Sequence, residues 1–591
     1  MAQQENSSEI NTSPALKKSF LQSTIASLRN LFIFSMTVPF VGGLVVSYTY
    51  VEMAVLSTLM DYLINLGGTN DLRMAAVATN MQDCLASILY VIVSLITAAY
   101  TGSFTMITFC AAASIQSLML MWMSTSTSIV VIYVAIFFLS LGESGRKLSE
   151  NFFEFQLEEK IKKGKEQGDV LKMSSGVRLY APTIAALIMM LYISFISDYS
   201  KYEENFRFAA LFMGGTHLFF LFGYVWYSKE GLTDKSNLRK IYKICKAAFG
   251  KRNSKYPTSK DGYHWKDDKK KEHLYWQDSE PRLLPRAPWP FRWLDKAAIV
   301  NGKESSDPDV SPETQEMKGQ LYSVKEVREV KSLVPMMYLC LAFIPYGLLM
   351  ACQNTFFVAQ ASTLEQVISS SGNDIVILSL IVHCVAEISG LICFIISLVF
   401  RRRKFKAIYG MLKRKAGIIK IGFGMVCAAI CSFRGWTVEA HRLSLPLVWN
   451  LEKHKLVHPG TTVSLVPQFI LLGMTKGLVE GGLESLFEVG YPKWSFVDSF
   501  SQLVIVIGKL LVIPFVFSSW IKETMDASRL DNFYLMLGIL NIVSVFLLAV
   551  AYYYIRYACF PADENDTVES PSPEDNETQS ADQGNRLYYH S

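Results

Sequence analysis

Long apolar blocks constrain this sequence more than any other feature. Twelve such blocks, most of them roughly 18 to 28 residues long, carry few charges, and a bilayer core of about 30 Å needs about 20 residues of helix to cross it. The composition agrees, because 51% of the 591 residues are hydrophobic and only 18% are charged. A soluble chain of this length would instead divide into several domains, each with its own core. The pattern therefore predicts an all-α membrane protein.

The predicted transmembrane helices, called spans below, form two groups of six. They cover residues 31–63, 74–100, 104–123, 128–147, 177–196, 206–226, 334–353, 375–400, 417–433, 461–489, 496–520 and 533–556. The first span is too long for one straight crossing and contains Pro39, Gly42 and Gly43, so we expect a tilt or a bend there.

This arrangement predicts five segments. Residues 1–30 form a cytosolic N-terminal segment, 31–227 an N-terminal six-helix bundle, 228–331 a cytosolic basic linker, 332–557 a C-terminal six-helix bundle, and 558–591 an acidic cytosolic tail. The abundance of charge and the scarcity of apolar residues predict disorder in the tail.

The linker combines basic and aromatic residues. Residues 269–271 are all lysine, and Arg292 lies between Trp289 and Trp293. Such a segment is suited to an anionic membrane surface. It is also compatible with a mobile tether between the two bundles, and both interpretations stay open.

Lysine and arginine residues predict the orientation in the membrane. Segment 146–172 holds seven of them, and residues 401–404 read Arg-Arg-Arg-Lys, so both connections should be cytosolic. The alternate connections, 198–205 and 354–374, are acidic or neutral and should face the other side. With twelve spans, both termini then lie in the cytosol.

Charged residues inside the spans are the candidates for function. A charge at the centre of a bilayer costs about 2.5 to 3.5 kcal/mol, so each one should face a polar cavity, a partner or an interface. In span ten, Lys476, Glu480, Glu484 and Glu488 are spaced four residues apart and share one helical stripe. Lys476 and Glu480 are expected to neutralise each other, which leaves Glu484 to a water-filled cavity or to partners on other helices.

Other spans add further candidates. These are Glu52 in span one, Arg178 in span five, and His383 with Glu387 in span eight. The last two are again four residues apart, so they are suited either to binding and releasing a proton or to a satisfied packing pair.

Two more charged residues lie in spans two and eleven. Asp83 is a candidate in span two. Lys509 in span eleven is expected to extend toward a membrane interface.

Several function classes find no support. The sequence contains no P-loop, no His-Glu-x-x-His, no Gly-x-Ser-x-Gly and no dinucleotide fingerprint after a strand. We therefore predict neither an enzyme nor an ATP-driven pump, and no metal site or cofactor. The net charge of +5 is too small to suggest binding to nucleic acid.

Local motifs carry a resemblance to a known family. Residues 324–334 lead into span seven, which is followed by Gln353-Asn-Thr-Phe-Phe-Val358, and span ten contains Val466-Pro-Gln468 and Gly482-Leu-Glu484-Ser-Leu-Phe-Glu488 before Pro492. These stretches resemble the plant nitrate and peptide transporter family, also called the proton-dependent oligopeptide transporter family. The resemblance covers roughly residues 31–557. It implies the major facilitator fold, with twelve transmembrane helices in two six-helix bundles and a substrate path between them.

The resemblance also implies roles for two residues. Gly142-Glu-Ser-Gly-Arg-Lys147 is similar to the family's helix-four motif, whose lysine takes part in substrate binding and proton coupling, so Lys147 inherits that role. Glu484 corresponds to a glutamate that serves as a gate or salt-bridge partner on helix ten.

Two departures concern proton coupling. The helix-one pattern Glu-x-x-Glu-Arg is replaced by Tyr48-Thr-Tyr-Val-Glu52, which keeps one carboxylate and no arginine. The stretch 97–103 lacks both charged members of the helix two to three motif. Proton symport needs a group whose charge state favours one conformation, and Glu52 is the residue expected to substitute.

The leading hypothesis is a secondary transporter working by alternating access on a small polar or anionic solute. The family implies nitrate or a short peptide, protons as a further partner, and residence in a plasma or vacuolar membrane. Lys147 and Arg178 would supply positive charge to the path.

Other functions stay open. These are an uncoupled facilitator or exporter and a non-transporting membrane sensor or scaffold. An ion channel is disfavoured because no repeated pore-loop pattern is present.

Overall fold

The computed structural model describes most of the spans and much of the linker. It covers residues 39–66, 71–123, 129–163, 184–185, 187–188, 202–228, 237–266, 274–277, 280–283, 289–300, 312–331, 333–365, 368, 374–400, 406–446, 448–450, 455–490 and 497–559. The chain divides into two compact units. Unit 1 comprises Met1–Arg239 and Cys340–Leu548, and unit 2 comprises Lys240–Leu339 and Ala549–Ser591.

Five described helices form the N-terminal half of unit 1. They are α1 (Pro39–Asn65), α2 (Leu72–Ile96), α3 (Ser103–Met123), α4 (Ile129–Lys163) and α5 (Tyr202–Phe222). Asp71 caps α2, because its carboxylate accepts hydrogen bonds from the backbone N–H groups of Arg73 and Met74. At the other end of α2, Gly102 has a φ of 76°, a left-handed conformation that glycine adopts without steric cost, and α3 starts at the next residue.

The predicted linker forms short elements, which belong to unit 2 apart from residues 237–239 at the start of its first helix. They are α6 (Asn237–Gly250), the antiparallel hairpin of β1 (Leu274–Gln277) and β2 (Glu280–Leu283), a 3₁₀ helix (Trp289–Ala298), α7 (Pro312–Met317) and α8 (Val324–Lys331). Lys331 is fully buried, and its Nζ lies 2.8 Å from Asp295 Oδ1 and donates to the carbonyl of Leu283 at 2.6 Å. The described linker residues are therefore folded around a buried ion pair.

The C-terminal half follows the linker. Its elements are α9 (Leu333–Gln353), α10 (Phe356–Ser362), β3 (Leu364–Glu365), α11 (Asp374–Phe400), α12 (Lys406–Ser444), β4 (Val448–Asn450), β5 (Lys455–Thr461), α13 (Val466–Gly490), α14 (Val497–Leu510), α15 (Val512–Val516) and α16 (Leu530–Cys559). Strand β5 pairs with β3 in parallel and with β4 antiparallel. The predicted connection 354–374 contains the short helix α10, in which Phe356, Phe357 and Val358 are buried.

The helical membrane fold that the sequence predicts is confirmed. Nine helices in the described ranges are long and apolar enough to cross a membrane, and Val504–Val516 is a shorter apolar helix. Predicted span five, 177–196, falls almost wholly outside the described residues. The count of twelve therefore stays a prediction.

The first helix is irregular at one place. Residues 39–51 are α-helical, and Glu52–Leu56 then form a π-helical turn. In the described part of span one, the departure from α geometry follows Val51, and residues 31–38 before Pro39 lie outside the described residues. π-helical turns inside α-helices are frequent at functional sites.

The two halves share apolar packing. The buried cluster of the N-terminal half, built largely on α1, α3 and α4, includes Val376 and Leu380 of α11 from the C-terminal half. Helix α11 packs against the π-helical turn, and α14 packs along α2.

The C-terminal half also contains a buried polar network. Arg442 Nη2 donates to Glu439 Oε1 at 2.7 Å and Arg442 Nη1 donates to Asp526 Oδ1 at 2.8 Å, while Gln360 Nε2 donates to Glu439 Oε2 at 2.9 Å. Predicted span nine, 417–433, was too short to include Glu439 and Arg442, because α12 continues to Ser444. Both charged side chains are fully buried.

We expect Glu439→Gln to destabilise the protein. Removing one partner of a buried ion pair leaves an uncompensated charge and costs up to about 3–5 kcal/mol. The apparent unfolding temperature in detergent should fall clearly. Asp531→Asn is the control, since its partner Arg529 is 63% exposed, and it should cause a smaller fall. Equal falls in both variants would contradict a structural role for the buried pair.

Candidate functional site

The side chain of Glu52 lies at the meeting point of four helices. Its Oε1 accepts a hydrogen bond from Lys476 Nζ at 3.2 Å and lies 3.8 Å from His383 Nε2. Its Oε2 lies 3.5 Å from Arg146 Nε. We call these four residues the Glu52 cluster.

The cluster joins the two halves of unit 1. Glu52 belongs to α1 and Arg146 to α4, both in the N-terminal half, whereas His383 belongs to α11 and Lys476 to α13 in the C-terminal half. The side chains of Glu52 and Lys476 are only 14% and 18% exposed. Their attraction is therefore weakly screened, and it ties one half to the other.

Arg146 extends the cluster within the N-terminal half. Its Nε donates to Glu143 Oε1 at 2.6 Å, and its Nη1 donates to Glu150 Oε1 at 2.9 Å. One guanidinium is thus shared by three carboxylates. This arrangement fixes the orientation of Arg146 and concentrates negative charge around it.

Glycines let the helices approach closely enough to build the cluster. On α4, a Cβ added at Gly142 would overlap Ser114, and one added at Gly145 would overlap Cys110 and approach Tyr48 Oη to 2.7 Å. Close packing of α4 on α3 and α1 therefore requires glycine at both positions, and it brings Arg146 to Glu52.

The same holds for α13 in the C-terminal half. A Cβ at Gly473 would lie 2.6 Å from the carbonyl oxygen of Val382, and one at Gly477 would overlap the carbonyl oxygen of Ala386. Since these contacts are with the backbone of α11, α13 lies directly against that helix. This packing places Lys476 beside His383.

The structure brings together three of the predicted site residues: Glu52, His383 and Lys476. The ion-pair partner of Lys476 is Glu52, 424 positions away, while Glu480 acts on the ammonium group from beyond ion-pair distance. A carboxylate on the facing helix reaches the ammonium group more directly than one along the same helix.

The other predicted residues stand as follows. Lys147 is half-buried on α4 beside Arg146, and Glu387 is half-buried one turn beyond His383. His383 points its Nε2 toward Glu52. Arg178 and the side chain of Glu484 lie outside the described residues.

Sequence reasoning missed Arg146. The sequence places it at the end of span four, where the basic cytosolic connection begins, but α4 continues through this position to Lys163 and brings the guanidinium to Glu52. The spacing of Glu143, Arg146 and Glu150 at three and four residues was the available signal, because such positions face each other on a helix.

A second ion pair links the two halves of unit 1. Lys509 Nζ of α14 donates to both carboxylate oxygens of Asp83 on α2, at 2.8 and 2.7 Å. The expected extension of Lys509 toward an interface stays a prediction, and the structure adds that Asp83 of the other half neutralises its ammonium group.

The N-terminal end of α2 makes further hydrogen bonds to the C-terminal half. Arg73 Nε donates to the carbonyl oxygen of Ile521 at 2.9 Å, and the backbone N–H of Leu72 donates to the carbonyl oxygen of Glu523 at 2.8 Å. We call the Asp83–Lys509 pair together with these contacts the α2 latch. In the described part of the chain, no group of three or more His, Cys, Asp or Glu side chains is placed to hold a metal ion.

Gly477→Ala should destabilise the C-terminal half. The new methyl group meets the backbone of α11, and overpacking of this kind costs about 1–3 kcal/mol. Gly481→Ala is the matched control, one turn along the same helix, because nothing lies within 4 Å of its added Cβ. The control should unfold at the wild-type temperature or slightly above it, since alanine favours helix. A wild-type unfolding temperature for Gly477→Ala would contradict the close packing of α13 on α11.

The sequence of the chain is similar to those of known proteins. The sequence profile of the POT family matches residues 180–487. The chain is 25% identical over 387 residues to Protein NRT1/PTR FAMILY 5.2 of Arabidopsis thaliana, and this alignment covers 61% of the chain and 60% of that relative. It is 23% identical over 546 residues to Protein NRT1/PTR FAMILY 1.1 of the same plant, with 85% of the chain and 87% of the relative covered.

A solved structure is similar as well. The in meso crystal structure of the POT family transporter PepTSo matches with a TM-score of 0.56 and 13% sequence identity. The match covers 88% of this chain and 98% of that one. At this identity the likeness shows a shared fold.

Proposed function

The chain belongs to the POT family, and from this premise we propose that it is a secondary transporter in which the Glu52 cluster couples solute binding to the movement of the two halves. The solute is small and polar or anionic, with nitrate and short peptides as candidates. The observation that carries the proposal is the contact of Glu52 with Lys476 across the two halves. A transporter that alternates its access must make and break such contacts.

The carboxylates around Arg146 support proton uptake. Three of them, Glu52, Glu143 and Glu150, lie within 4 Å of its one guanidinium group. Carboxylates that share one guanidinium disfavour simultaneous ionisation, so one of them is a site for a proton. The imidazole of His383, 3.8 Å from Glu52, is a second group able to carry it.

Protonation of Glu52 would change the preferred conformation. The neutral carboxyl group no longer attracts Lys476, and the contact between the halves weakens. Only such a difference in interaction energy between two conformations lets a proton bias the equilibrium.

A bound anion would compete for the same cations. The ammonium group of Lys476 and the guanidinium of Arg146 both suit nitrate or the carboxylate of a peptide. When an anion binds Lys476, Glu52 loses its partner across the halves and takes up a proton more readily. Solute and proton then favour each other's binding, which is the requirement for symport.

The α2 latch would control a different step. In the described conformation it holds α2 against α14 and the segment that follows α15. A conformation in which α2 is separated from α14 requires the Asp83–Lys509 pair to break. The Glu52 cluster and the α2 latch would therefore open at different stages of the cycle.

Topology and location complete the proposal. Both termini and the connection that follows α4 lie in the cytosol, and the protein resides in a plasma membrane or a vacuolar membrane. We propose no enzymatic activity and no cofactor. A ligand-binding sensor without flux is the alternative that the eroded helix-one motif leaves open.

Glu52→Gln should abolish proton-driven uptake. Glutamine keeps the size of the side chain but cannot exchange a proton, so uptake of nitrate or peptide into proteoliposomes under a pH gradient should fall at least about tenfold, equivalent to about 1.4 kcal/mol. Exchange of solute without a gradient should persist. Glu204→Gln, an exposed carboxylate on α5, is the control and should behave as wild type.

The outcomes separate the hypotheses. Undiminished gradient-driven uptake by Glu52→Gln would contradict the role of Glu52 in coupling. Binding without flux in the wild type would favour a sensor. Uptake that never responds to a pH gradient in the wild type would favour an uncoupled facilitator.

Reversing one charge of the α2 latch should slow transport. Asp83→Lys places two ammonium groups together and disfavours the described conformation, so the uptake rate should fall severalfold. The double variant Asp83→Lys/Lys509→Asp restores an opposite-charge pair and should recover most of the rate. Failure of the double variant to recover, when both proteins are folded and present at equal amounts, would argue against the pair as a conformational contact.

A further inference from the structure

Helix α6 of unit 2 has two different faces. Ile244, Ala247 and Ala248 are buried within the unit. On the opposite face, Tyr242 is 66% exposed and Phe249 is 62% exposed. Two large aromatic side chains at positions i and i+7 of one helix thus face outward together.

Three cations accompany these aromatic side chains. Lys243, Lys246 and Arg252 are exposed, and the guanidinium carbon of Arg252 lies 5.1 Å from the centre of the Phe249 ring. Between Asp234 and Asp261 the sequence contains nine Lys or Arg residues and no acidic residue. The outward face of α6 is therefore positively charged and aromatic.

Contacts within unit 2 hold this face in place. Lys240 Nζ donates to Glu329 Oε2 at 2.7 Å, which ties α6 to α8. Lys251 is buried just after α6, and its Nζ donates to the carbonyl oxygen of Ile299 at 2.6 Å. These two lysines are used inside the unit. Lys243, Lys246 and Arg252 are directed to the surface.

The chain keeps α6 near a membrane. Ten residues connect Trp226, at the end of a membrane-spanning helix, with Asn237, so their reach is at most about 35 Å. At the other end of the linker, α9 begins at Leu333, and the apolar stretch able to cross a membrane begins within it at Leu341.

We propose that the face formed by Tyr242, Lys243, Lys246, Phe249 and Arg252 docks on the anionic lipid headgroups of the adjacent bilayer. The cations match the negative surface of a cytosolic leaflet, and aromatic side chains favour the interface between water and hydrocarbon. An amphipathic helix with lysines beside its apolar residues lies in the plane of such a surface. The lipid composition of the membrane would then control the position of α6.

Chemical labelling of lysines tests this proposal in the full-length protein. The protein is reconstituted in nanodiscs of phosphatidylcholine alone or with about 30% phosphatidylserine, and acetylation of individual lysines is followed by mass spectrometry. Lys243 and Lys246 should react at least about threefold more slowly in the anionic discs, and about 0.5 M NaCl should remove most of the difference. Lys325, exposed on α8 of the same unit, is the internal control and should react equally in both discs.

A variant separates docking from a general effect of surface charge. Tyr242→Ser/Phe249→Ser removes the aromatic contacts but keeps every lysine, and it should abolish the protection of Lys243 and Lys246. The proposal is overturned if both lysines react equally in the two discs, if Lys325 is protected to the same extent, or if the double variant stays protected. Protection in native membranes but not in purified discs would assign the face to a protein partner and would also overturn it.

Discussion

The structure depends on the carboxylate of Glu52, which forms ion pairs with both halves in an interior of low dielectric constant. Charges inside a membrane protein are costly unless they are paired, and Glu52 serves as the partner of Arg146 from its own half and of Lys476 from the other. Separating the halves removes one of these partners. In the proposed mechanism, the same carboxylate that lowers the cost of burying the cations makes the conformation respond to a proton or an anion that replaces one of its partners.

Close backbone packing makes this sharing possible. Gly145 lets α4 approach α1 and α3, and Gly477 lets α13 approach α11, so that side chains from four helices reach one point. Van der Waals packing through small residues is the main source of helix association inside membranes. The glycines thus act on the electrostatics indirectly, because they set the distances over which the charges interact.

Much of the fold follows from the sequence, whereas the pairing of charges does not. Apolar blocks of bilayer length predict the helices, because water is absent from the hydrocarbon core and only helices or closed barrels satisfy the backbone there. The partner of Lys476 lies 424 positions away, and that of Lys509 lies 426 positions away. Local spacing therefore pointed to Glu480 and to a membrane interface instead. The end of a helix is equally hard to predict from the sequence when the helix continues through charged residues, as it does at Arg146 and Arg442.

The cluster also changes how the eroded helix-one motif should be interpreted. At the helix-one motif the sequence keeps one carboxylate, Glu52, and no arginine. In space, however, Arg146 of α4 brings a guanidinium to within 3.5 Å of the same carboxylate. Electrostatic interactions depend on the distance between charges and on their burial, and not on which helix carries them. The loss of a local motif therefore does not by itself imply the loss of the charge arrangement.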